Sequence, residues 1–237
     1  MLKLTLIVKF LNKQKTYMKE SNRERKTEIK YNIVLNEEQK ECKRLILENQ
    51  IVIVTGQAGS GKSLVCAQTV LDLFNKKQIE EIFVTRAAIE VGKTLGFLPG
   101  SLNEKFDPYL EAFIENLYKC SEKVKIENIV KDGKIKALPV QFIRGKTVDD
   151  VLVVEEVQNM TKHEVLAIIT RLGKTGKIIF NGDNQQKDIN IEQNGLDYLI
   201  SLSKVISEIK WIKLKENHRS DLVARILDFE YKKIKTI

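Results

Sequence analysis

Residues 56–63 read Gly-Gln-Ala-Gly-Ser-Gly-Lys-Ser, which places three glycines, an ammonium and a hydroxyl within eight positions. Glycines at this spacing let the backbone turn tightly and gather its N–H groups around an anion, and the lysine that follows reaches the outer charges of the same anion. The Ser63 hydroxyl then stands at the start of a helix, where the dipole favours negative charge and a phosphate-bound Mg²⁺ can take an oxygen ligand. A ligand-free glycine turn is the plain alternative. The flanks disfavour it, because the apolar run 51–55 enters as a buried strand and residues 64–74 leave with helical spacing. The octet, with Leu64 after it, therefore implies a nucleotide-phosphate site formed by Gly56, Gln57, Ala58, Gly59, Ser60, Gly61, Lys62, Ser63 and Leu64, with Ser63 on Mg²⁺.

Two further polar clusters each follow an apolar run. Val-Leu-Val-Val at 151–154 ends in Glu155-Glu156, and Lys-Ile-Ile-Phe at 177–180 ends in Asn-Gly-Asp-Asn-Gln-Gln at 181–186. Cleaving a phosphoanhydride needs a carboxylate that holds the metal, here through its water, and a second group that positions the attacking water. Neighbours on a strand point oppositely, so one of Glu155 and Glu156 is expected to face the metal and the other the water. Two solvated acids at a strand end are the alternative. The amides of Asn184, Gln185 and Gln186 are placed to meet the γ-phosphate, although Asp-Asn also forms turns with no ligand. Gln39 follows Asn36 by three residues, which suits either a capping pair or an amide that reads adenine, and spacing does not choose between them. His163 and His218 have no metal-ligand spacing and are not expected to be catalytic.

The elements that must carry these groups alternate. Strands are expected at 51–55, 81–85, 138–143, 151–154, 177–180 and 209–214, and helices at 36–48, 64–74, 108–120, 161–172, 196–206 and 219–232. A long irregular stretch at 87–110 is expected to be a functional loop, and the charged residues 121–136 a surface excursion. Strands apolar on both faces and alternating with helices imply an α/β fold, a parallel sheet covered by helices on both faces. In such sheets ligands bind beyond the carboxyl ends of the strands, so the three polar clusters are expected to converge there.

Composition narrows the classes. With 43% hydrophobic and 30% charged residues among 237, the chain reads as one soluble globular domain with a small appendage, and no 18-residue apolar run suggests a membrane span. The three cysteines lie far apart without C-x-x-C spacing, which argues against a disulfide or zinc framework and suits a reducing cytoplasm. The net charge of +8 is local: residues 1–35 hold nine Lys and Arg against three Glu, a surplus of six, leaving +2 for the remainder. A nearly neutral core does not by itself demand a polyanion. Residues 1–31 are read as a basic mobile arm, or translation starts at Met18 and residues 1–17 are an extension. Lys9 interrupts the apolar 1–11 stretch and no small-residue cleavage site follows, so a secretory leader is not expected.

The glycine-rich loop, Arg-Ala-Ala-Ile-Glu-Val-Gly-Lys-Thr-Leu-Gly-Phe-Leu-Pro-Gly at 86–100, Ile-Arg-Gly-Lys-Thr at 143–147, Val-Leu-Val-Val-Glu-Glu-Val-Gln-Asn at 151–159 and Gly-Asp-Asn-Gln-Gln-Lys-Asp at 182–188 together resemble the PhoH-like family over roughly residues 32–230. These are phosphate-starvation-associated P-loop ATPases with a RecA-like core similar to the first motor domain of superfamily 1 helicases. The resemblance implies adenine reading by Gln39, phosphate and metal binding by Lys62 and Ser63, catalysis by Glu156, γ-phosphate sensing by Gln186 and a late arginine, Arg219. Short members occur in phages as well as bacteria, so a phage origin fits. One departure stands out: the family usually has Asp-Glu where this chain has Glu155-Glu156, and the extra methylene is expected to displace Mg²⁺ or its water and slow turnover. Helicases draw an arginine from a second motor domain, for which this chain has no room. The resemblance thus implies a homo-oligomeric ring, a hexamer as in similar ATPases, with Arg144, Arg171 and Arg219 as candidate fingers. RNA- or single-strand-DNA-dependent activity, a non-catalytic ATP switch and a small-molecule phosphotransferase are the competing expectations. The last lacks an evident acceptor pocket.

Overall fold

A computed structural model of the chain describes residues 31–87, 102–187 and 194–220, together with 222, 223, 225, 226 and 229. Side chains of its third helix are described from residue 110. The expected arm at 1–31 (Tyr31 apart), most of the 86–100 run and much of the last expected helix lie outside these residues.

Six strands, β1 (Ile51–Gly56), β2 (Ile82–Arg86), β3 (Ile135–Ala137), β4 (Val151–Glu155), β5 (Lys177–Gly182) and β6 (Ile209–Leu214), form one sheet in the order β3-β2-β4-β5-β1-β6. Every pairing is parallel. The helices are α1 (Glu37–Glu48), α2 (Lys62–Asn75), α3 (Leu102–Cys120), α4 (Lys123–Lys131), α5 (Lys162–Ile169) and α6 (Gly195–Ser203).

The central strands are buried on both faces, and their alternate residues serve different helices. Ile51, Ile53, Leu152, Val154, Ile178 and Phe180 pack with Val165 and Ile168 of α5 and Leu196 and Leu199 of α6. The intervening Val52, Val54, Val153 and Ile179 are buried on the other face, where α2 covers β1, β4 and β5 and α3 covers β2 and β3. Each such buried Ile or Leu contributes about 1.5–3 kcal/mol relative to exposure. The α/β architecture with helices on both faces is the one expected. Two capping boxes form as well, Asn36 with Gln39 on α1 and Thr161 with Glu164 on α5.

The register aligns the functional edge. Thr55 lies opposite Gly182, Gly56 opposite Leu214, and Arg86 opposite Glu155. The glycine-rich loop, the acidic pair and the Gly182-Asp183 turn therefore leave the sheet at one edge.

Two expectations are corrected. Residues 138–143 do not form a strand; Val140–Phe142 is a 3₁₀ turn. Leu138 still donates to the Val84 carbonyl at 2.8 Å, but Pro139 has no N–H with which to continue the ladder. The run is apolar because Val140 and Ile143 are buried. The stretch 121–136 is not a loose excursion, since it holds α4 and most of β3. Helix ends also differ: α3 begins at Leu102 rather than near 108, and α5 and α6 stop at Ile169 and Ser203. Among the described residues no helix is long and apolar enough to cross a membrane, and Cys42, Cys66 and Cys120 are buried and free.

Candidate nucleotide-phosphate site

β1 ends at Gly56, and the chain turns before α2 begins at Lys62. Gly59 and Gly61 adopt left-handed backbones with φ of 92° and 83°. A Cβ on Gly59 would lie 2.5 Å from Arg219 Cγ, and one on Gly61 2.5 Å from Gln39 Nε2, so both the backbone and its neighbours require glycine. No side chain caps α2 at Gly61, which leaves the first-turn N–H groups for an anion. Lys62 Nζ donates to the carbonyls of Gly56 at 2.6 Å and Gln57 at 3.1 Å. Burial lowers its pKa, opposed by the Asp183, Glu156 and Glu155 carboxylates.

Facing the lysine is the acidic pair. Ser63 Oγ donates to Glu155 Oε2 at 3.2 Å, and Asn181 Nδ2 donates to Glu155 Oε1 at 3.1 Å. Burial raises the Glu155 pKa; the Asn181 bond pulls it down, the Glu156 charge pushes it up, and Ser63 and Lys62 pull it down. Strand alternation is not what separates the two acids, contrary to expectation. β4 stops at Glu155, and Glu156 lies beyond it in the left-handed region with φ 55° and ψ 42°. The Glu156 carboxylate accepts from Gln158 Nε2, which also donates to the Gln186 carbonyl at 3.0 Å. Gln158 Oε1 accepts the Asp183 N–H at 3.0 Å. This fully buried glutamine thus ties Glu156 to the turn carrying Gln186. Sequence reasoning missed it; the available signal was a lone amide between residues of a buried run.

Gln39 lies beneath the loop with 3% of its surface exposed. Its Oε1 accepts the Asn36 N–H, while Nε2 donates to the Ser60 carbonyl at 3.3 Å and stands 3.1 Å from His218 Nε2. The capping alternative is therefore realised, and the same amide supports the loop. His218, also unexpected here, donates its backbone N–H to the Gly59 carbonyl at 3.0 Å. Arg219 follows, with its N–H on Asn217 Oδ1. His163 is at the surface against Arg144.

These groups enclose a cleft of about 350 Å³. It brings together Ala58, Gly59, Gly61, Lys62, Ser63, Leu64, Glu155, Glu156, Gln186 and Arg219, and adds Asn116 and Lys119 from α3, which sequence reasoning did not single out. Gly56 and Gln57 line an adjoining cleft instead, Ser60 is buried within the loop, and neither Arg144 nor Arg171 lines the main cleft. Among the described residues no group of three or more His, Cys, Asp or Glu could enclose a metal alone. The Ser63 hydroxyl and Glu155 carboxylate nevertheless make an oxygen pair suited to Mg²⁺, which takes only a few protein ligands and completes its shell with phosphate and water.

A family model described as "PhoH-like protein" matches residues 33–230. A PhoH-like protein of Bacillus subtilis is 34% identical over 194 residues, covering 80% of this chain and 61% of the relative. A Synechocystis relative of the same name is 32% identical, covering 80% and 59%, and one from Mycobacterium tuberculosis is 34% identical, covering 76% and 52%. The chain thus spans roughly half to three fifths of these relatives. Among solved structures, the Pif1 helicase from Candida albicans aligns with a TM-score of 0.46 at 20% identity, covering 83% of this chain and 43% of that one. The large terminase from a thermophilic bacteriophage aligns at 0.45 with 13% identity, covering 76% and 46%. With a glycine-rich phosphate loop, a paired carboxylate edge and a family match spanning nearly all the described residues, the chain belongs to the PhoH-like protein family.

Proposed function

We propose that the chain is an Mg²⁺-dependent ATPase working as a ring of identical subunits. The observation that carries this reading is the convergence of Lys62, Ser63, Glu155, Glu156 and Gln186 on one cleft from separate segments of the chain. The loop N–H groups hold the β-phosphate, and Lys62 exchanges its Gly56 and Gln57 carbonyls for phosphate oxygens. Mg²⁺, when bound, neutralises charge on those oxygens, and Ser63 and Glu155 are the residues that would hold it. Glu156 orients the attacking water and accepts its proton. Gln186 contacts the γ-phosphate, and Gln158 makes its position depend on Glu156. Arg219 stabilises charge that develops during transfer, while Arg144 and Arg171, outside this cleft, are candidates to serve a neighbouring subunit. Gln39 contacts adenine by exchanging its Ser60 partner for the base.

Steady-state assays test the assignment. Lys62→Ala should lower ATP turnover by at least about 100-fold, and Glu156→Gln should do the same while keeping ATP bound. Wild-type rates in both variants would overturn it. Light scattering with ATP and Mg²⁺ should show a multimer; a monomer under all conditions would remove the ring.

A second reading, stimulation by single-stranded nucleic acid, is favoured by one observation. A cleft of about 240 Å³ beside the loop is lined by Gln57, Asn184, Gln185, Trp211 and Lys213. Trp211 is 43% exposed, and its Nε1 donates to Thr55 Oγ1 at 2.9 Å, which fixes an open indole face beside a cation. Such a face suits base stacking. Adding RNA to the same assay should raise turnover in a salt-sensitive way.

A further inference from the structure

The phosphate edge contains an asparagine and a cysteine that the proposed chemistry does not use. Asn181 is buried near the end of β5, 1% exposed, and its amide is spent at both ends. Its Nδ2 donates to Glu155 Oε1 at 3.1 Å, while its Oδ1 accepts from Cys66 Sγ at 3.2 Å. Cys66 is fully buried in α2, three residues beyond Ser63, and burial raises its thiol pKa well above the ordinary value. The thiol therefore keeps its proton and acts as a donor. An amide has one donating and one accepting end, so a donor at Oδ1 obliges Nδ2 to face the carboxylate. A reversed amide would set oxygen against oxygen at Glu155. The other Glu155 oxygen meets Ser63, which rides on the same helix as Cys66. Hydrogen bonds thus run from Cys66 through Asn181 and Glu155 to Ser63, and they fix a side chain with one more rotatable bond than aspartate.

We infer that Asn181, oriented by Cys66, is a positioning residue that holds the Glu155 carboxylate against Ser63 and so sets the affinity of this edge for a divalent cation. The inference rests on the proposed reading of Ser63 and Glu155 as the Mg²⁺ side of the cleft. Asn181 also lines the cleft, but its amide is engaged by Cys66 at one end and Glu155 at the other, so its effect on the cation passes through Glu155.

The test is a Mg²⁺ titration of the binding of a fluorescent ATP analogue to the full chain, with a parallel titration in EDTA. Asn181→Ala should raise the half-saturating Mg²⁺ concentration by about tenfold or more, as loss of a partner behind a metal ligand commonly does, while affinity in EDTA stays within about twofold. Cys66→Ala should raise it by roughly threefold, because a thiol is a weak donor, and Cys66→Ser should restore the wild-type value. An unchanged Mg²⁺ requirement in Asn181→Ala, or equal losses with and without Mg²⁺, would overturn the inference. If Asn181→Ala does not fold, the cysteine pair decides, and equal values for Ala and Ser would overturn it. Wild-type binding indifferent to Mg²⁺ would instead remove the proposed metal site itself.

Discussion

Lys177 begins β5 and Asn181 lies near its end, and the polar groups around these two ends of one strand are satisfied in different ways. Lys177 Nζ donates to the carbonyls of Ile46, Leu47 and Asn49, the last acceptors of α1, at 3.1, 2.9 and 2.9 Å. Beside it, Gln50 Nε2 donates to the Lys174 carbonyl, and Asp150 Oδ1 accepts the N–H groups of Glu80 and Glu81. Each of these partners is backbone, and a cation at a helix C-terminus agrees with the dipole. At the opposite edge, Ser63, Glu155, Asn181, Glu156 and Gln158 bond largely to one another. Two carboxylates stand together there, and the neighbouring lysine is held by loop carbonyls it can release. One edge ties side chains to backbone; the other ties side chains to one another, and it is there that the proposed exchange for phosphate would occur.

The contrast can be broken by substitutions at either end. The largest effect is expected at Gln158, whose replacement by leucine removes the link between Glu156 and the Gln186 turn. Steady-state ATP turnover should fall by roughly 100-fold, because Glu156, proposed to position the water, loses its orientation. Turnover within twofold of wild type would show that Gln158 only fills space. Next is Lys177→Met, which leaves three helix-end carbonyls without their cation. Calorimetry should record a loss of about 1–2 kcal/mol, or roughly 3–6 °C in Tm for a chain of this size, with ATP affinity unchanged. A parallel loss of ATP affinity would mean that the two edges are not separable.

The smallest effect concerns pH. Burial gives the Glu155 carboxyl a higher pKa in the folded chain than in the unfolded one. Its contribution to stability is therefore complete below the unfolded carboxylate range and is lost as pH rises through the raised folded value. Glu155→Gln does not titrate, so without nucleotide or metal its Tm advantage over wild type should grow from about pH 4 to about pH 8. A constant or shrinking difference would show that the carboxylate is already compensated.

Much of the phosphate edge was legible because its chemistry is local in sequence. The glycine octet, the acids after 151–154 and the amides after 177–180 each sit at the end of an apolar run, and parallel pairing carries run ends to one edge. The Asn36 to Gln39 spacing was visible for the same reason, although it did not by itself choose the capping pair that forms. What stayed hidden depends on partners distant in sequence. Gln158 and Asn181 look like ordinary polar residues until β4 and β5 are side by side, and His218 acquires its place only when the chain after β6 returns to Gly59. β3 was missed because an edge strand of three residues, Ile-Lys-Ala, is too short for a period to show. The apolar run at 138–143 reported burial, and Pro139 excluded the strand that burial suggested.

Glu156 holds a left-handed backbone that glycine or asparagine would adopt with less strain, by about 1 kcal/mol. Sequences chosen only for folding would drift away from glutamate at this position, whereas Lys62 and Ser63 carry no such backbone penalty. In a lineage that kept nucleotide binding but abandoned cleavage, residue 156 would be among the first to change. On the proposed reading, glutamate is kept at 156 for chemistry, at a position where the backbone resists it.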